Sequence, residues 1–573
     1  MCRIGILLLL ILSTAQAQEE KPEIPAVYNN ITVDKDGNLG YRNNKGALWP
    51  LDNGEPAYTL KQMRASIKGT SQGLNFDLQH DSLSGTLYYG FRDPETYQYP
   101  HPVFFKQTQR IEAGQATINI AEAFAGKYDM VGWQQKGYGT LGYRVTNDEG
   151  KILYDGKITF AQRKSGGFYA DTCLRRGPFV QNLQPDGATL MFETNKPVKA
   201  RVKVEDQTFQ SKEVKRHHEI TVSGLASDQQ YNYRVHIGNR SCDYHFHTAQ
   251  ETGDDEAFTF AYASDSRAGQ GGGERNIFGA NAYIMKRIGA LAEQEDVAFM
   301  QFTGDMVNGY ETNRGSMKLQ YANWMRSIEP FAHYLPTYVS PGNHEAFLHR
   351  FDNNTKYGLT VDKFPFDQHS AETIFSQHFN NPDNGPASED GSAYDPKPNQ
   401  KNFPDYKETA YHYTYGNVAM IALNSDYWYA PSIEAVPEVG GNLHGYIMDQ
   451  QLAWLRETLA QYEGNAGIDH VFLTLHTPFF PNGGHVDDDM WYNGSNDSRP
   501  TVNGEPVETG IIERRDELLK LLVNKHDKVR AILTGDEHNY NRLTVTDDMP
   551  RYPEGYKPDK LSLTDTIHQI NNG

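Results

Sequence analysis

Val529-Arg530-Ala531-Ile532-Leu533-Thr534-Gly535-Asp536-Glu537-His538 is a short apolar run that ends on a glycine and three ionisable side chains. The run has the length of a buried strand, so Asp536 and His538 fall where the chain leaves a sheet. Four other stretches are built alike: Tyr262-Ala263-Ser264-Asp265, Phe302-Thr303-Gly304-Asp305, Pro341-Gly342-Asn343-His344-Glu345 and Leu473-Thr474-Leu475-His476. One aspartate after a strand is an ordinary turn or cap residue. Five such ends in one region are not explained by capping. Carboxylate, amide and imidazole donors in this mixture suit Mn, Fe, Zn or Mg ions and not a thiolate site.

Working outward, the same region alternates strands with helices. Strands are predicted at 258–264, 297–303, 334–340, 418–423, 470–475 and 529–533, and helices at 281–293, 317–328, 447–459 and 515–522. This pattern implies a layered α/β domain whose site gathers at the carboxyl ends of its strands. The polar stretch 350–409 shows little periodicity and reads as a long functional or disordered loop. Gly269 to Gly273 is glycine-rich, but no Gly-Lys-Ser/Thr follows. It reads as a flexible rim and not as a phosphate loop of that type.

Two β-rich regions precede this domain. In the first, Thr86, Tyr88 and Gly90 alternate with Leu87, Tyr89 and Phe91, and a hairpin is predicted over 143–160 about Asn147-Asp148-Glu149-Gly150. Its aromatic residues are either core or a glycan-binding face. The second runs over 171–250 and ends on Leu225-x5-Tyr231-x-Tyr233-x-Val235, which resembles a fibronectin type III sandwich with Tyr231 making a corner hydrogen bond. His217 and His218 read as solvated surface. An acidic linker, 251–256, leads into the α/β region.

The 573 residues suffice for several cores, and 73 acidic against 54 basic residues give a net charge of −19. A surface that tracks nucleic-acid phosphates needs a basic excess, so nucleic acid is not an expected partner. A mean hydropathy of −0.68 excludes an integral membrane protein. Residues 1–17 read as a secretory leader: Arg3, an apolar core, and Ala15-Gln16-Ala17 as the cleavage site. The expected location is secreted or periplasmic. Cys2 would leave with the leader, and Cys173 and Cys242 would be either bonded or two separate thiols.

The order Asp, Gly-Asp, Gly-Asn-His-Glu, His and Gly-x-x-His over residues 256–573 resembles the calcineurin-like metallophosphoesterases. With the sandwich before it, the chain is similar to the purple acid phosphatase branch, and Asn539-Tyr540-Asn541-Arg542 adds to the match. The resemblance implies an α/β domain, a four-layer αββα sandwich, preceded by two β-sandwich-type modules at 18–170 and 171–250. It also implies two divalent ions (Mn, Fe, Zn or Mg) about 3.5–4 Å apart that activate water for attack on phosphorus. Asp265, Asp305 and His538 would hold the first ion. Asp305, Asn343, His476 and Asp536 would hold the second, with Asp305 bridging. His344, oriented by Glu345, would contact the phosphate or protonate the leaving oxygen, and His485 matches a substrate-side histidine. The terminal Gln569-Ile570-Asn571-Asn572-Gly573 resembles a family strand that continues further, which leaves open whether the C-terminus is truncated.

Three positions depart from the family. Asp536 stands where histidine is usual, Arg267 where many members have a ligand histidine, and Asn308 where the purple branch places its ligand tyrosine. Asn308 is kept as a candidate metal residue. Arginine has no lone pair to offer a metal and would grip phosphate instead. Three carboxylates, Asp265, Asp305 and Asp536, against two divalent ions leave about one positive charge, and without a tyrosinate nothing favours ferric iron. The expected activity is hydrolysis of a small phosphomonoester. The alternatives are a phosphodiesterase of the same fold, or a binding protein contacting glycans or cell surfaces whose phosphatase domain has decayed.

Overall fold

The computed structural model describes residues 23–52, 54–93, 98–100, 107–356, 358–486, 490–491 and 496–573. The leader at 1–17, with Cys2, lies outside the described residues.

The first β region is a sandwich. One sheet runs Phe168–Ala170, Ile152–Gln162, Tyr138–Asn147, Gly85–Phe91, Thr108–Ile111, and the other pairs Ser66–Gly69, Gly73–Asp77 and Gln115–Asn119. The hairpin predicted over 143–160 is present, with the Lys151 N–H donating to the Asn147 side chain at 2.9 Å across its turn. Tyr89, Phe91, Tyr143 and Phe160 all point into the core, where Leu319 and Ala322 of the helix Arg314–Ala332 join them. These aromatic rings therefore brace the module against the α/β domain.

The second region has seven strands in two sheets. Leu174–Gln184, Gly187–Val198 and Lys215–Val222 form one; Gln207–Gln210, Arg201–Val204, Gln230–Ile237 and Arg240–His247 form the other. The Tyr231 hydroxyl accepts the Ala226 N–H at 2.9 Å, the expected corner. Cys173 and Cys242 are separate thiols. His218 corrects the surface reading: strand alternation turns it inward, paired with Phe192 in the ladder and stacked on its ring at 4.9 Å. Burial pulls its imidazole down to about 4. His217 faces outward and pairs with Glu219 at 2.6 Å.

The α/β domain places two sheets face to face. Ala261–Ala263, Met300–Thr303 and Thr337–Ser340 are parallel; the second sheet runs Tyr411–Tyr415, Val418–Ala422, His470–Thr474, Val529–Thr534, Ile567–Asn572, Tyr540–Val545. Period-2 alternation explains the layering. Phe299 and Tyr338 face Tyr413, Met420 and Leu533 between the sheets, whereas Met300, Phe302 and Val339 turn out toward the helices Ala282–Gln294 and Arg314–Ala332. On the far side, Ala419, Ile421, Leu473 and Ile532 meet the helices Asp449–Gly464 and Ile511–Asn524. This is the αββα sandwich. The rings of Tyr338 and Tyr413 stack at 3.8 Å across its centre.

The stretch 350–409 is not a loose loop. It holds the strand Leu359–Asp362, the helix Ala371–Ser376 and fully buried Phe403 and Tyr406. Its polar composition is spent inside the fold. Buried Glu389 accepts hydrogen bonds from the hydroxyls of Tyr394 (2.7 Å) and Tyr406 (2.8 Å). It also accepts from the backbone N–H groups of Gln450 (3.0 Å) and Gln451 (3.2 Å), at the start of a helix where such groups lack partners.

The residues that open the described chain pack with the α/β domain. Val27, Tyr28, Ile31, Leu39 and Tyr41 share a core with Phe364, Trp428 and Val439. The Tyr28 hydroxyl accepts the Trp428 indole N–H at 2.8 Å.

Candidate metal centre

Asp265, Asp305 and Asp536 each follow a strand of the α/β domain, and each has a left-handed backbone, with φ of 57°, 52° and 70°. Aspartate tolerates this region better than most residues, but three such turns at one end of two sheets are a local cost that the surrounding structure sustains. The turns also pack too tightly for larger neighbours. A Cβ on Gly304 would lie 2.7 Å from His476 Nδ1, and one on Gly535 would lie 2.0 Å from the Ser264 hydroxyl.

These turns bring the expected ligands together. One donor atom each from Asp265, Asp305 and His538 lies within 4.8 Å of the others. His476 Nε2 lies 3.2 Å from Asp305 Oδ1 and 3.6 Å from Asp536 Oδ1. Asp265 Oδ1, Asn343 Oδ1 and His476 Nε2 are all buried without a hydrogen-bond partner. Buried polar atoms are ordinarily paired, and these three are the atoms a metal would take. The neighbouring atoms of the same side chains are committed elsewhere. His476 Nδ1–H donates to the Thr303 carbonyl at 2.7 Å, Asn343 Nδ2 donates to the Tyr310 hydroxyl at 2.8 Å, and Asp265 Oδ2 accepts the Asp536 N–H at 2.9 Å. Such commitments fix tautomer and rotamer at metal sites. The donor set therefore fits divalent ions.

The electrostatics agree. Burial pushes the Asp265 carboxyl up to about 7, with nearby Asp305 and Asp536 adding to the shift and His476 opposing it. Burial also works against ionised Asp305 and Asp536. The histidines beside them outweigh it and hold both carboxyls below the usual range: His344 and His476 for Asp305, His444 and His476 for Asp536. Burial by itself would lower His476; the carboxylates, Asp305 first, raise it well above the ordinary value.

Arg267 lies at the rim, where its Nη2 donates to His538 Nε2 at 3.1 Å and its Nε is 3.5 Å from Asp305 Oδ2. His344 gives its Nδ1–H to the Asn308 carbonyl at 2.6 Å, which leaves Nε2 facing Asp305 Oδ2 at 3.8 Å. The expected partnership of Glu345 with His344 is not formed. The Glu345 carboxylate accepts the backbone N–H groups of Asp305 (2.9 Å), Met306 (2.9 Å) and Gly342 (2.7 Å), so it holds the Asp305 turn. Asn308 also differs from expectation: its side-chain oxygen accepts the Ala268 N–H at 3.1 Å, tying down the loop that carries Arg267. His485 Nε2 lies 3.9 Å from Asp536 Oδ1. The loop bearing it is anchored by Glu537, which accepts the N–H groups of residues 482–485.

His444 and Asp426 complete the site, and no motif announced them. His444 is buried between two carboxylates, with Nδ1 2.5 Å from Asp426 Oδ1 and Nε2 3.1 Å from Asp536 Oδ2. A histidine from elsewhere in the chain thus stands behind the aspartate that replaces the usual histidine at 536. Removing it by His444→Ala is expected to weaken divalent-ion affinity about ten- to hundredfold, read by calorimetric titration of the metal-stripped protein. Unchanged affinity would make His444 a packing residue only.

Comparison with known proteins follows the same lines. The calcineurin-like phosphoesterase family matches residues 276–540, a span that starts after Asp265, and a domain of unknown function (DUF7800) matches residues 171–248. No curated protein matches the chain. Among solved structures, that of PhoD is 15% identical, with 69% of this chain and 75% of that one covered and a TM-score of 0.40. Purple acid phosphatase PPD1 from yellow lupin (Lupinus luteus) seeds is 13% identical, with coverages of 87% and 82% and a TM-score of 0.43. A dimetal phosphatase from Danio rerio is 13% identical, with coverages of 56% and 88% and a TM-score of 0.31. Residues 276–540 form a calcineurin-like phosphoesterase domain, and the chain is by that family a metal-dependent phosphoric ester hydrolase.

Proposed function

We propose that the chain is an extracytoplasmic phosphomonoesterase that works with two divalent ions. Asp265, Asp305 and His538 hold one; Asp305, Asn343, His476 and Asp536 hold the other. The observation that carries this reading is the convergence of partnerless Asp265 Oδ1, Asn343 Oδ1 and His476 Nε2 beside Arg267. The extracytoplasmic location rests on the leader read at 1–17.

When bound, the ions supply Lewis acidity and water that is deprotonated near neutral pH. The protein supplies orientation. Arg267, with Nε 3.5 Å from Asp305 Oδ2, offers a planar donor fork to the phosphate oxygens. His344, with Nδ1 fixed on Asn308, presents Nε2 to hold a proton toward the leaving oxygen. Glu345 keeps the Asp305 turn in register from behind. His485, partly exposed at the Asp536 side, is placed to meet the substrate.

The test is metal content measured together with turnover of chromogenic monoesters and diesters. The expected result is two divalent ions per chain, a colourless protein and faster monoester hydrolysis. A strong visible tyrosinate-to-iron band would overturn the metal assignment, and faster diester turnover would overturn the substrate class. A protein that binds no metal and turns over neither ester would be a decayed phosphatase used for binding.

A further inference from the structure

A cleft of about 640 Å³ opens where the two β modules meet the helix Arg314–Ala332. Lys61, Arg64, Arg175, Lys196, Arg216 and Lys318 line it, with Lys157 at its edge, and no aspartate or glutamate does. This is a concentration of positive charge in a chain whose net charge is −19. Little of it is neutralised. Glu193 serves Arg64, Arg175 (3.5 Å) and Arg176 (3.6 Å) at once, and Lys157 is taken by Glu329. Lys61, Arg216 and Lys318 make no ion pair among the described residues. Two guanidinium nitrogens, Arg64 Nε and Nη1 of buried Arg176, have no acceptor. Burial, with Arg314, Arg64 and Arg176 adding to it, pulls the Lys318 ammonium down to about 8.

Like charges gathered in a concave surface repel one another and concentrate counter-ions. We propose that this cleft binds a small multivalent oxyanion, a ligand carrying two or more phosphate or sulfate groups, separately from the metal centre. Its volume falls in the range of small-ligand sites, roughly 300–1,000 Å³, which suits a short oligoanion and not a nucleic-acid duplex. The arginines offer planar forks and the lysines point charges, a mixture suited to tetrahedral oxyanions. None of the lining residues belongs to the metal centre, so the inference stands apart from the proposed hydrolysis.

The test titrates the full chain with tripolyphosphate and, separately, with sucrose octasulfate. At least one probe is expected to bind saturably, more weakly as salt rises. Arg216→Glu combined with Lys318→Glu is expected to weaken that binding at least about tenfold, with circular dichroism and turnover of a small chromogenic monoester unchanged. Preference for tripolyphosphate identifies a phosphate ligand, and preference for the octasulfate a sulfated one. No saturable binding of either probe overturns the proposal, as does unchanged affinity in the variant. If the double reversal fails to fold, Lys318→Gln is judged by the direction of the same affinity change.

Discussion

Asp305→Ala is expected to lower kcat/KM for a phosphoester by on the order of 10³-fold, with loss of bound metal. The size follows from several kcal/mol of charge stabilisation supplied by metal ions, at about 1.4 kcal/mol per factor of ten. Asp305 is the side chain on which the site converges. Oδ1 accepts the His344 N–H at 3.1 Å and meets His476 at 3.2 Å, while Oδ2 faces Arg267 at 3.5 Å and His344 at 3.8 Å. Its removal deprives both ion positions of one carboxylate and takes away the negative charge beside Arg267 and His476. Asp305→Asn keeps the shape, and the Glu345 bonds to the turn go to backbone and survive it. That variant should fold normally and still lose turnover and metal. Turnover within a few-fold of wild type in either variant, with metal content retained, would show that Asp305 is not the bridging residue.

The second large effect concerns stability. Glu329 has no exposed side-chain surface and neutralises Arg326 of its own helix, Arg314–Ala332, together with Arg92 (3.1 Å) and Lys157, which join the first β module to that helix. Burial opposes its ionised form, but the three cations, Arg326 first, hold its carboxyl well below the ordinary value. Burial lowers Lys157 to about 8 despite Glu329, with Arg92 and Arg326 repelling it. Buried Arg92 and Lys157 and largely buried Arg326 thus share one carboxylate. Glu329→Ala leaves them uncompensated and is expected to cost about 3–5 kcal/mol. A carboxyl lowered in the folded state stabilises the fold above its unfolded pKa, and that contribution is lost as pH falls through the folded value. The melting-temperature gap between wild type and variant should therefore be full at neutral pH and narrow in acid. A loss of unfolding free energy under about 1 kcal/mol at neutral pH would place the cluster among ion pairs that merely break even.

Much of the α/β domain was legible because its helices are long and its short strands are apolar runs bounded by polar turns. The helix expected at 281–293 is found as Ala282–Gln294, with the Asn281 side chain capping it. The five strand ends were legible for the same reason, since a ligand that follows its own strand is a local signal. What stayed hidden depends on contacts between distant parts of the chain. His444 reaches Asp536 across 92 positions, and Asp426 reaches His444 across 18. Neither follows a strand in a pattern that marks it. Glu345 was legible as a site residue, but its partner was not, because three backbone N–H groups carry no sequence signature. Polarity misled at 350–409, where asparagines and acids bond inward. Asn402 Nδ2 donates to Asp395 at 2.7 Å, and Asn381 Nδ2 to the Val339 carbonyl at 2.8 Å.

The seating of Tyr28 against Trp428 has a consequence for biogenesis. Their hydrogen bond spans 400 positions, and at roughly 5–20 residues per second of synthesis the wait for the partner is tens of seconds. Throughout it Val27, Tyr28, Ile31 and Tyr41 have no completed core to enter. The β modules lie between and can collapse first, since their contacts are nearer in sequence. The segment around 27–41 is therefore made before the β modules yet is buried after them, with its apolar residues among the last to enter a core.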